Sequence, residues 1–238
     1  MTAILRPAYW LGLDPNRLRA TGKGQKRAYH APQRVAQAAR TREAIIAAAK
    51  ELFGQRGWAG TTVAAIAQAA GVSQKTVEAV FGTKAALLEA AVDYAIRGDI
   101  ESVPVVRRAG VARIEAAPDA TTMLRLHARH LRTINERSAR IAWTVEQAAA
   151  GDPAVANLWQ RMNDNRRFGV RWATETLLRK PGRRRGLARR QVEAAFWVAL
   201  DWGTYRTLTE HAGLDSNRYE AWLWRYYAAT FLSGPRSK

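Results

Sequence analysis

Cysteine is absent from this chain of 238 residues, which excludes disulfide staples, cysteine zinc sites and thiol nucleophiles. Histidine is scarce, with four copies. His127 and His130 have the i, i+3 spacing of two ligands on one helix face, but no acidic partner accompanies them and no metal is expected. No apolar run approaches the roughly 18 residues of a bilayer span. Arg6, Arg17 and Arg19 interrupt what would be the apolar core of a secretory leader. A cytoplasmic protein with no membrane partner is the expectation. Seventeen glycines and eight prolines are too few for a fibrous or low-complexity chain. Nucleophile elbow, phosphate loop and carboxylate constellation are also missing, so neither an enzyme nor a cofactor is expected.

Acidic residues are few as well. Twenty Asp and Glu face 38 Lys and Arg, a net charge of +18 that draws polyanions such as nucleic acid. The excess is uneven. Residues 1–40 hold eight basic residues and the single acid Asp14, whereas residues 41–90 are nearly balanced, with five basic and four acidic. With Pro7, Pro15 and Pro32 and no sustained period, residues 1–38 read as a flexible basic extension. A run of seven Lys and Arg between Arg179 and Arg190, interspersed with Pro181, Gly182 and Gly186, reads as a solvated loop.

From about Thr41 onward the pattern is helical, and no strand is recognisable. The expected class is all-α. Ile45, Ala49, Leu52 and Phe53 share one helix face that ends near Gly57. Leu88, Ala91, Val92, Ala95 and Ile96 repeat that pattern after Thr83, a suitable N-cap. Leu124, Ala128, Leu131 and Ile134 make one further stripe; Ile141, Val145 and Ala148 make another. Asp152-Pro153 opens a helix of about 26 residues, near 39 Å long. Two more are expected over 187–212 and 216–232, the second capped by Asp215 or Ser216.

Residues 61–82, TTVAAIAQAAGVSQKTVEAVFG, are the most specific segment. Thr62 caps a short helix over 63–70, Gly71 supplies a turn needing positive φ, and Ser73 caps a second short helix over 74–81. Two such helices joined by a three- to four-residue turn describe a helix-turn-helix. Ala67 permits their close crossing. Helices this short are unstable alone and must lean on the one before them. The second exposes Gln74, Lys75, Thr76, Glu78 and Ala79, and its amide, ammonium and hydroxyl groups suit base edges and phosphates in a major groove.

Residues 41–95 resemble the DNA-binding region of the TetR family of transcriptional regulators. The resemblance lies in Gly57-Trp58, Thr61-Thr62, Ile66-Ala67, Ala70-Gly71-Val72-Ser73, Thr76, Phe81, Lys84 and Leu87-Leu88. Tyr205 with Leu208-Thr209-Glu210, Gly213, and Tyr219-Glu220 before Trp222 are similar to the family's tail. The resemblance implies a homodimer whose two heads enter adjacent major grooves of a palindromic double-stranded DNA operator. It divides the chain, beyond the extension, into a head over 39–83 and a helical effector-binding and dimerisation domain over 84–238. Thr62 and Lys84 would touch phosphates. Ser73, Gln74, Lys75, Thr76 and Glu78 would form the groove-facing segment. The family usually has tyrosine where Glu78 stands, and often an aromatic where Val80 stands; a carboxylate at 78 repels phosphate unless a cytosine amino group meets it.

For the larger half, a pocket for a small apolar or aromatic effector is expected among Met123, His127, Trp143, Trp159, Met162, Arg166, Phe168 and Trp172. Asn165 and Arg166 interrupt an apolar stripe, and Arg166 either meets an anionic effector or pairs with an internal acid. Phe196, Trp197, Leu200, Thr204, Leu208, Trp222, Tyr226 and Tyr227 are the expected dimer interface, because two-sided apolar helices need two partners. The functional expectation is a repressor released from its operator by an effector. The alternative is a constitutive or weakly specific architectural DNA-binder.

Overall fold

Helix α1 (Ala31–Arg56) starts well before the apolar stripe that signals it. Its residues 33–40 are exposed throughout, so this first part follows from the helix propensity of its Ala, Gln and Arg residues rather than from burial. The computed structural model describes residues 31–233 apart from 102 and 104. Residues 1–30, most of the expected basic extension, lie outside that range.

Next come α2 (Val63–Ala69), α3 (Gln74–Phe81) and α4 (Lys84–Arg97), then a 3-10 turn at Val105–Arg107 and α5 (Ala109–Glu115). Two long helices follow, α6 (Ala120–Ala149) and α7 (Pro153–Arg179). The chain ends with α8 (Arg189–Ala199), α9 (Trp202–Arg206), a π-helical turn at Thr207–His211, and α10 (Ser216–Phe231). Among the described residues there is no strand, only an isolated bridge between Arg183 and Leu232, and no helix is long and apolar enough to cross a membrane. The class is all-α.

Caps set most of the boundaries. Side chains of Thr62, Ser73, Thr83, Asp119, Asp152 and Asp215 each accept from a backbone N–H in the first turn of the helix that follows, satisfying donors that the helix itself cannot. The stripes around Leu131 and Val145 belong to one helix of 30 residues; its buried polar members between them find partners, Asn135 on the Tyr219 hydroxyl and Ser138 on the Ile134 carbonyl. The helix expected over 187–212 is instead broken at Leu200 and Asp201. One carboxylate explains the break: Asp201 Oδ2 caps α9 by accepting from Thr204 N at 2.7 Å, while Oδ1 pairs with Arg166 at 3.0 Å.

The interior has two clusters. One joins Phe196, Tyr219, Leu223, Tyr227 and Phe231 to the first half of α6 and the second half of α7. The other contains Ile45, Phe53, Ile66, Ala67, Val77, Leu87 and Leu88, but also Ile141 and Val145 of α6 and Val155, Leu158 and Met162 of α7. The head core is therefore continuous with the body. Thr144 donates its hydroxyl to the Phe53 carbonyl at 2.8 Å, and Arg161 bridges to Glu89 at 2.7 Å. The expected division after residue 83 falls at the cap of α4, whose inner face completes the head.

The basic run also has a structural account. Arg184 donates to the Ala229 and Leu232 carbonyls at the end of α10, Arg183 to Leu178, and Lys180 to Glu115 at the end of α5. These cations terminate helices by binding their last carbonyls.

Candidate functional site

The sequence places α3 through its two ends. Ser73 Oγ accepts from Thr76 N at 3.1 Å and lies 2.8 Å from the Thr76 hydroxyl. Gly71, at φ 67°, makes the turn that precedes it. Val77 is buried against Ile66 and Ala67, while Val80, at 39 % exposure, is not. Thr61, fully buried, donates its hydroxyl to the Leu52 and Gly57 carbonyls and fixes the turn between α1 and α2. The guanidinium of Arg42 on α1 lies 4.6 Å over the Phe81 ring, so α3 is held from behind.

What remains on the outside is Ser73, Gln74, Lys75 and Glu78, all exposed, with Thr76 half-buried. Thr62, also exposed, uses its oxygen to cap α2 by accepting from Ala65 N. Gln74 spends a side-chain N–H on Glu78 at 2.7 Å. The surface offered at this helix is an ammonium flanked by amide and carboxylate oxygens. Lys84, the other expected phosphate ligand, is half-buried at the first turn of α4. Its Nζ donates to the Trp58 carbonyl and sits 4.1 Å over the Trp58 ring. Burial holds its pKa below the usual lysine value, against a raising effect from Asp152. The sequence could not separate these roles, because either one needs a cation at the first turn of α4.

Between α4, α6 and α7 lies a cavity of about 110 Å³. Of the side chains expected there, His127, Met162, Arg166 and Trp172 line it. Met123 is packed in the core behind it. Trp159 packs on Trp202 at 6.3 Å. Trp143 is 41 % exposed beneath Arg206, over a separate surface cleft, and Phe168 is not among the lining. The sequence pattern missed Asp93, Ile96 and Arg97 of α4, which line the cavity because α4 crosses under the body, a long-range packing that no local period encodes. Asn165 could be found, as a polar interruption of an apolar stripe.

The polar groups of the cavity are neutral or paired. His127 Nδ1 is 2.8 Å from the Tyr227 hydroxyl. Burial, with a smaller effect from His130, pushes His127 down to about 3. Burial and Arg137 push His130 down to about 4. Arg166 pairs with Asp201, donates to the Trp197 carbonyl at 2.7 Å and lies over the Trp197 ring. Of the two roles open to Arg166, the internal pair is the one adopted.

Two residues of the expected dimer surface are corrected. Phe196 and Tyr227 are fully buried inside the single chain, Phe196 stacked on Phe231 at 4.9 Å. Helical spacing could not tell which apolar face of α8 the chain's own core consumes. Trp197, Leu200, Thr204, Leu208, Trp222 and Tyr226 remain partly exposed. Trp222 and Tyr226 are stacked nearly parallel at 5.5 Å.

Residues 45–91 match the family of bacterial regulatory proteins designated tetR. No curated protein matches the chain. Among solved structures it is similar to NalD of Pseudomonas aeruginosa, the secondary repressor of the MexAB-OprM multidrug efflux pump. That likeness has a TM-score of 0.60 at 20 % identity, over 82 % of this chain and 98 % of NalD. A transcriptional regulator from Rhodococcus sp. Rha1 matches with a TM-score of 0.56 at 18 % identity, over 81 % of this chain and 98 % of that one. At these identities the likeness establishes a shared fold.

Proposed function

Starting from a head of the TetR family carried on the same fold as NalD, we propose that the chain is a homodimeric, sequence-specific transcriptional regulator, a repressor that leaves a palindromic operator when a small molecule fills the cavity. One observation carries this reading. Helix α4 lines the cavity through Asp93, Ile96 and Arg97 and packs into the head core through Leu87, Leu88 and Ala91. An occupant that displaces α4 must move the surface formed by Gln74, Lys75 and Glu78. The two heads must span half-sites about 34 Å apart, so a small rotation in each protomer prevents simultaneous insertion. The partly exposed Trp197, Trp222 and Tyr226 support a two-fold interface, their aromatic character matching the composition of such surfaces.

Selection of bound duplexes from a random pool tests the reading, repeated with candidate small molecules and accompanied by sedimentation. A dimer that recovers one palindrome, lost on adding a single compound, is the expected result. Glu78 on the exposed face and the net charge of +18 favour a second reading, a weakly specific DNA-coating protein. It predicts recovery of no shared sequence and an unbroken footprint.

A further inference from the structure

The cavity is chemically more particular than an apolar hole. Its volume of about 110 Å³ is on the scale of the roughly 150 Å³ cavity that admits a benzene ring. Val92, Ile96, Leu131, Met162 and Trp172 supply apolar lining. Each cation that lines it already has a carboxylate: Arg97 pairs with Asp93 at 3.1 Å and Arg166 with Asp201 at 3.0 Å. His127 and His130 are neutral at physiological pH. A charged ligand would lose its hydration and gain no counter-ion.

Two buried polar atoms on residues of its lining nevertheless lack a partner. Asn165 Oδ1 accepts nothing, and Arg166 Nε donates to nothing, although the Arg166 side chain is only 10 % exposed. Both residues line the cavity, the two atoms lying just beneath its wall, so that a small turn of each side chain brings them to an occupant. One atom asks for a donor and the other for an acceptor. A hydroxyl group supplies both at once, an ether only the second, and a hydrocarbon neither. We infer that the cavity takes a small neutral molecule of one aromatic ring bearing a hydroxyl, held by Asn165 Oδ1 and Arg166 Nε. The inference rests on the proposed effector role of this cavity and adds the class of compound that fills it.

Calorimetric titration of the full chain with phenol, toluene, benzoate and benzylamine at millimolar concentration tests it. Phenol is expected to bind, toluene about tenfold more weakly for leaving both atoms unpaired, and the benzoate anion and benzylammonium cation not at all. Asn165→Leu is expected to lose about tenfold for phenol while toluene holds or improves. Asn165→Asp, which keeps the shape and adds a charge, is expected to turn preference toward benzylammonium. Benzoate binding as tightly as phenol, phenol failing to bind, or both variants keeping the parent selectivity would overturn the inference. The same titrations on DNA-bound protein separate the two claims. Phenol binding without release of DNA removes the effector role and leaves the ligand chemistry standing. Operator binding without any phenol binding does the reverse.

Discussion

Gln74 donates its side-chain amide to the carboxylate of Glu78, one turn further along α3 and 2.7 Å away. That bond consumes an amide donor and leaves oxygen acceptors in excess on this exposed face, so this part of the helix calls for donors in the groove, the amino groups of cytosine or adenine. Glu78→Tyr is expected to tighten binding to random duplex about fivefold, the worth of one added phosphate hydrogen bond of about 1 kcal/mol, and to weaken discrimination between sequences. Titrations of random and selected duplexes at several salt concentrations measure both. An unchanged affinity would place Glu78 away from the duplex.

Lys84 is engaged by the Trp58 carbonyl and ring, and its removal should show as stability rather than DNA affinity. Lys84→Ala is expected to cost about 1 kcal/mol through the lost contact with the Trp58 ring and carbonyl, read from denaturant midpoints. The slope of log affinity against log salt should stay as it is. A residue bound to phosphate would lower that slope by about one.

Crossing of the two short helices depends on Ala67, which is 2 % exposed. Ala67→Leu overpacks this contact and is expected to cost about 1–3 kcal/mol, with operator binding lost at temperatures where the body remains helical. Circular dichroism and gel shift on the same sample check this. Full DNA binding by the variant would mean that the head tolerates a wider crossing.

Most of the short helix pair was legible because its signals are local: Ser73 and Thr83 cap where they stand, and Gly71 turns where a left-handed residue is required. Residues 33–40 of α1 were not legible, since an exposed helix has no buried face and so no stripe. The break before α9 was hidden for a different reason. Asp201 caps α9 through one oxygen while Arg166, from another helix, holds the other, and that second contact has no local signal. The same holds for the cavity, of which α7 showed Asn165 and Arg166 but nothing showed the contribution of α4.

Two imidazoles, His127 buried and His130 half-buried, impose a pH dependence. His127 and His130 sit at about 3 and about 4, below their ordinary value of 6.5, so the unfolded chain takes up protons that the folded one refuses. Their contribution is complete above pH 6.5 and is lost as pH falls from there toward 4 and below, on the order of several kcal/mol for the pair. Urea midpoints should therefore decline between pH 7 and pH 5. His130→Gln should flatten that decline. An equal decline in the variant would assign it to other groups.

The continuity of the inner cluster around Phe53, Val77, Ile141 and Val155 has a consequence for how this protein can be taken apart. Cut after residue 83, the helix-turn-helix would keep its outward surface but leave behind the hydrocarbon that backs it. It is therefore no portable module, and swapping it onto another regulator requires α4 and the facing stretches of α6 and α7 to travel with it.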